Sequence, residues 1–421
     1  MIDESNVTIS KSRHIGIKIA VFVGAILVSA TLIVLYAVGA FSHFSGYAQI
    51  DAVADKETPY GGEYNCLLYF EGSTMAVNSQ KSKAQQVYSE ALRDAYRKSE
   101  DSVVKEDVVS IANVNVNLGA TTSVDQGTYD LLKRAHGYAQ NHANYSLYSA
   151  PLFAEWEHIA TIHSQNLDPS VDIDPAIDEQ EAAYLNEIAS FVNNPDSVNL
   201  TFLENNQIRL TISEAYAAFR KANDITAPIL SLTSLRPAYC LEQASKALEE
   251  AGYQDGYLRH DYGLGVALSK TPSLVHTVYG LSENGAVEDS ARLGLTGGHC
   301  FAKLVRYNVH QCVFPIFYSL KKEGKTLYRS PYLNLDKAEG NQYCHSSYLF
   351  SSKKGIVDVA LSALDGLAVE TEADWQEYLP TLNGYDYLFV KGSNPTAILI
   401  SSSLKEQTVI LKPQRYTLNE I

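Results

Sequence analysis

One uninterrupted apolar stretch constrains this chain more than any other feature. From Ile19 to Phe41 it reads IAVFVGAILVSATLIVLYAVGAF, 23 residues without a charge. At about 1.5 Å per residue, a helix of that length reaches roughly 35 Å, enough to cross a bilayer with some tilt. The flanks give the direction. Lys11, Arg13, His14 and Lys18 precede the run, and the next lysine or arginine is Lys56. The positive-inside rule then predicts residues 1–14 in the cytoplasm, 15–41 across the membrane and the remainder outside, a single-pass protein of the cell membrane. A cleaved signal peptide, with Val38 and Ala40 as the small residues of its cleavage site, is the competing reading. The apolar core exceeds a typical signal core and favours an uncleaved anchor.

Beyond residue 18 the chain carries 30 basic and 46 acidic groups, a net charge of −16. Such a surface is ill suited to nucleic acid or to anionic lipid. Residues 42–62 are small, polar and turn-rich and read as a linker; residues 63–421 are long enough to bury a substantial core. The pattern there predicts an α+β fold, with mixed sheets flanked by helices. Strands are expected at 63–70, on either side of an Asn205-Asn206 turn, and in three C-terminal runs: YDYLFVK, TAILISS and TVILK. Apolar residues at helical spacing predict helices near 80–98, 127–141, 237–251 (opened by Pro237, stopped by Gly252) and 355–368.

Several groups could carry chemistry. Asp358, Ser362 and Asp365 fall on one face of the last of these helices, and a carboxylate one turn from a hydroxyl can point at a hard cation such as Mg²⁺. An amphipathic helix with a polar outer stripe explains the same spacing. Asp172, Asp174 and Asp178 lack the glycine and terminal glutamate of a calcium loop and read as a solvated acidic segment opening a helix. The cysteines are Cys66, Cys240, Cys300, Cys312 and Cys344. Being odd in number, they leave at least one thiol unpaired or paired between chains. With His299, His310 and His345 nearby, zinc is conceivable, but the spacing fits no known finger, and a Cys300–Cys312 disulfide is the simpler expectation outside the cytoplasm.

Read in order, these segments resemble the FAD:protein FMN transferase (ApbE) family. VVSIANVNVN, then VDQGTYDLLKRAHGYAQNHANYSLYSAPLFAEW with its Pro151, Leu152 and Trp156 spacing, follow the family's early motifs. YCLEQASKALEEAGY resembles the helix after the family's glycine-lysine turn, with Glu242 in place of an aspartate. YLNLDKAEG falls on a family motif in which Asp336 and Gly340 are kept, and VDVALSALDGLAV on the family's metal motif, with Asp358 kept and Ser362 replacing threonine. The resemblance implies an extracytoplasmic fold, FAD held by Glu242, Asp336 and Gly340, Mg²⁺ held by Asp358 and Ser362, and a threonine of a target protein as FMN acceptor. The chain departs from the family at the lysine, where Pro237 stands, at the paired glycines, now Asp261 and Tyr262, and at a histidine. Two functions follow: a flavin transferase, or a non-catalytic ectodomain that binds flavin, another ligand or a partner. The departures favour the second and predict FMN transfer that is absent or very slow.

Overall fold

The computed structural model describes residues 15–53, 61–142, 144–165, 172–232, 234–282, 286–307, 309, 317–338, 343–391 and 397–420. They form two compact units, residues 15–48 with Tyr69–Lys83 and, separately, Gln49–Leu68 with 84–420.

The smaller unit contains the helix Ile15–Phe41, whose segment Ile19–Gly39 is long and apolar enough to cross a membrane. Its side chains are turned outward; Phe22, Leu27 and Ile33 are each more than half exposed. Such a surface suits lipid rather than water. After the helix, the amide of Thr74 donates to Ser42 O at 2.8 Å, and the hydroxyls of Ser45 and Tyr69 lie 2.6 Å apart. The expected linker therefore needs correction, because His43–Asp51 is a strand.

The larger unit is α+β. Its main sheet runs through Tyr64–Leu68, Gly256–His260, Leu264–Ala267, His299–Val305, Cys344–Ser351, Asp386–Lys391, Ala397–Ile400 and Thr417–Glu420 in that order. Neighbours are antiparallel except the last pair, which is parallel, so the sheet is mixed. One face is covered by the helices Arg236–Glu250 and Ile356–Ala368, the second packing on Cys344–Ser351 and His299–Val305. The other face meets the antiparallel hairpin Leu274–Leu281 and Val287–Leu295 across a core that includes Val278, Leu293, Phe301, Tyr348 and Phe350.

Local signals behave as their chemistry requires. Asn205 and Asn206 both take φ of 55° between the strands Val198–Leu203 and Gln207–Ile212, the conformation a tight hairpin needs. The helix Arg236–Glu250 has proline in its first turn, and Gly252 follows its end at φ 93°.

The acidic segment corrects its sequence reading. Asp178 caps the helix Glu179–Val192, accepting from the amides of Gln180 and Glu181. Asp174, however, is fully buried. It accepts from Arg329 Nη2 at 2.7 Å and Nε at 2.9 Å, from Tyr318 OH at 2.7 Å and from the Ala176 amide at 2.8 Å. Burial alone would raise its pKa, but the guanidinium and the hydrogen bonds outweigh it and hold the group below the usual carboxylate range. Arg329 also lies 5.1 Å from the Trp156 ring, so this ion pair fastens the hairpin Tyr318–Lys322/Lys325–Arg329 to the helix Ala150–Gln165.

The core contains a second polar pair. His276 and His299 place their Nε2 atoms 3.0 Å apart, and His299 Nδ1 lies 2.9 Å from Gly297 O, so it donates there. Burial first, and then the nearby Lys303 charge, push His276 well below an ordinary histidine.

Two outcomes follow for the detergent-solubilised full chain. Asp174→Ala leaves Arg329 as a buried, uncompensated cation and should lower unfolding free energy by about 3–5 kcal/mol in equilibrium urea titrations, whereas Asp336→Ala, at an exposed turn, should be near neutral. Equal effects would show that the buried pair carries no special share. Because His276 is neutral when folded and titrates near 6.5 when unfolded, the unfolded chain binds more protons below that pH. Stability is thus intact above about pH 6.5 and lost progressively below it; a urea midpoint unchanged between pH 7.5 and 5.5 would contradict a buried neutral ring.

Candidate functional site

The helix Ile356–Ala368 organises the candidate site. It is buried at ten of its thirteen positions and lies so close to the sheet that a Cβ on Gly366 would sit 2.8 Å from Phe389 Cε1 and 2.8 Å from the Tyr378 hydroxyl. Only glycine allows that approach. With both flanks of the helix covered, its polar residues are met by protein rather than solvent.

Asp358, Ser362 and Asp365 do share a face, as their spacing requires, but not an outer one. Ser362 is 8% exposed; its hydroxyl donates to Tyr385 OH at 3.2 Å, and its carbonyl accepts from Tyr378 OH at 2.7 Å. Asp365 Oδ2 lies 2.6 Å from His142 Nδ1, and its other oxygen accepts from the Asn144 side chain at 3.3 Å. Asp358 is half-buried, its Oδ2 3.5 Å from where a Cβ on Gly355 would be; Glu242 Oε1 is 3.3 Å from the same point. Glu242 is held by a two-pronged contact with Arg134, Nη1 to Oε2 at 2.5 Å and Nη2 to Oε1 at 2.7 Å. These carboxylates also act on Cys300. Burial, then Glu242 and Asp358, push its thiol up to about 12. The expected Cys300–Cys312 disulfide involves Cys312, which lies outside the described residues. Cys344 is at the far end of the strand paired with that of Cys300. Among the described residues, no three His, Cys, Asp or Glu side chains gather as metal ligands.

A cavity of about 320 Å³ lies against the opposite side of the same helix. The helix contributes Ala360, Leu361 and Leu364; the head of Arg236–Glu250 contributes Pro237, with Ser234 just before it. Ala150, Phe153, Ala154 and Glu157 come from the helix Ala150–Gln165, Tyr262 and Leu264 from a strand turn, Leu304 from the sheet, and Pro331 and Tyr332 from the segment before Asp336. The remaining wall is formed by Asp101, Ser102, Ala227, Pro228 and Ser231. Asp101 is compensated internally: Arg236 Nη2 lies 2.8 Å away and Ser231 donates to it at 2.5 Å. The walls are mainly apolar, with a few polar groups, as small-molecule sites commonly are. Among the described residues, no lysine, arginine or histidine lines it.

Five stretches singled out in the sequence thus line one cavity: the Pro151–Trp156 stretch, the former glycine-lysine turn, the former glycine pair, the YLNLDKAEG segment and the Asp358 helix. Glu242, Asp358 and Ser362 are not on its wall. Asp336 is exposed and away from it, and Gly340 lies outside the described residues. Arg134, His142 and Tyr385, the partners of the predicted polar residues, carried no sequence signal, because each pairing spans at least 23 positions.

No family model and no curated protein matches the chain. Solved structures do. An ApbE protein from Thermotoga maritima aligns over 87% of this chain and 99% of its own, at 13% identity and a TM-score of 0.56. The flavin transferase ApbE from Vibrio cholerae aligns over 87% and 100%, at 12% identity and the same TM-score, and the apo flavinyl transferase ApbE from Pseudomonas stutzeri over 84% and 92%, at 10% identity and 0.51. The chain has the ApbE fold. Likeness at this level of identity concerns architecture, and the chemistry must be argued from the side chains.

Of the groups that the ApbE resemblance implies, FAD fits the cavity wall poorly: a dinucleotide brings a doubly charged pyrophosphate, and among the described residues the wall offers it two carboxylates and no cation. For Mg²⁺, Asp358 is half-buried, Ser362 donates to Tyr385 with its oxygen lone pairs left over, and the neighbouring carboxylate Glu242 is engaged with Arg134. Tyr262 occupies the place of a glycine that would let backbone approach a dinucleotide.

Proposed function

We propose that this chain is a membrane-anchored, extracytoplasmic ligand-binding protein on the flavin-transferase fold, one that does not transfer FMN. The observation that carries the reading is the cavity: the segments that correspond to the transferase motifs converge on it, yet among the described residues its wall holds no basic side chain. Phosphoryl-group transfer is driven by cations and donors aimed at developing negative charge. Asp101 and Glu157 would instead oppose that charge, with Arg236 committed to Asp101. The ligand that suits such walls is uncharged or cationic, with a large apolar surface packed on Phe153, Leu361 and Leu364. The anchor is the helix Ile15–Phe41, and the basic residues before it favour a cytoplasmic N-terminus.

Two experiments address this reading. The full chain should fractionate with membranes and need detergent for release; recovery in the soluble fraction without detergent would remove the anchor. Incubated in detergent with FAD, Mg²⁺ and a threonine-containing target, it should produce no FMN mass addition over hours, whereas robust Mg²⁺-dependent labelling would establish an active transferase instead.

A further inference from the structure

The strand His299–Val305 serves two compartments, because successive side chains point to opposite faces. Cys300 and Leu304 face the helices. Phe301 and Lys303 face the other way, where a separate pocket of about 210 Å³ is lined by Arg259, His260, Asp261, Tyr279, Phe301 and Lys303 among others. The register places Gly265 opposite both Arg259 and Phe301. A Cβ on Gly265 would lie 2.2 Å from Phe301 Cζ, so glycine makes room for the ring on this face of the sheet.

We infer that this pocket is a binding site for a small oxyanion, a phosphate or a carboxylate, held between Lys303 and Arg259. Among the described residues the pocket wall carries two full cations, Lys303 and Arg259, against one carboxylate, Asp261. Lys303 is largely buried, with its ammonium 5.5 Å from the Phe301 ring centroid, and burial, followed by the Arg259 charge, lowers it to about 8. Among the described residues neither Lys303 nor Arg259 is paired with a carboxylate. The one acid on the wall, Asp261, accepts from Asn65 Nδ2 at 3.0 Å. His260 is likewise engaged, its Nε2 3.2 Å from Glu63 and its Nδ1 accepting from the Tyr262 amide at 3.3 Å. A buried ammonium costs several kcal/mol unless an opposite charge meets it, and a second cation within reach adds to that cost. An oxyanion relieves both charges together, and the planar fork of arginine matches phosphate and carboxylate alike. The site shares Leu264 with the apolar cavity, but Lys303 and Arg259 are not on that cavity's wall.

Thermal melting of the detergent-solubilised full chain tests this, with sodium chloride replaced at matched ionic strength by sodium phosphate in one arm and sodium acetate in the other. The midpoint should rise with at least one oxyanion in a saturable way, and the arm with the larger shift identifies the source. Lys303→Met, which keeps the apolar stem, should abolish the shift. Arg259→Gln, at an exposed position that leaves folding unaffected, should weaken the apparent affinity about tenfold, the worth of one charge-assisted hydrogen bond. Midpoints equal to those in chloride for both anions, or an undiminished shift in Arg259→Gln, would overturn the assignment.

Discussion

The direct contact between the helix Ile356–Ala368 and the sheet beneath it is the constraint on which the rest of this structure depends. At Gly366 there is no space for a side chain, so the helix cannot lift or roll, and its thirteen residues are committed to fixed surroundings. On one side its apolar residues close a cavity. On the other, Ser362 meets Tyr385, and Asp365 meets His142 and Asn144. Buried polar groups must be partnered, and a helix this enclosed finds those partners within the protein.

That arrangement separates two properties that the ApbE fold can combine. The architecture that gathers distant segments around a cavity is intact. The basic side chains that a dinucleotide would call for are not on its wall among the described residues. Arg236 could have served a phosphate, but it lies against Asp101 and donates to the carbonyl of Ser99. Burial opposes its charge, and the Asp101 carboxylate sustains it, so the guanidinium is spent on structure. The pattern fits the general rule that folds persist while sites diverge.

What the sequence made legible, and what it concealed, follows from the range of each interaction. Asn205-Asn206, Pro237 with Gly252, and the apolar stripes of the long helices are local signals, and the structure has those turns and helices where the spacing put them. The strand His43–Asp51 was hidden because its composition is that of a turn. The burial of Asp174 was hidden because its counter-charge, Arg329, is 155 residues away. The shared face of Asp358, Ser362 and Asp365 was readable from helical periodicity; that this face is covered was not, since periodicity ranks faces and does not say what lies over them. The cavity itself was visible only through the family resemblance, because its wall is drawn from residues between 101 and 364.

The central claim, that the fold is kept while its dinucleotide and metal chemistry is not, is tested most directly by titrating FAD into the full chain and following flavin fluorescence with and without Mg²⁺. The account predicts no saturable binding in the micromolar range and no response to Mg²⁺, because among the described residues the cavity wall holds no basic side chain and Ser362 is engaged with Tyr385. Micromolar FAD affinity that strengthens with Mg²⁺ and is lost in Asp358→Ala would contradict it.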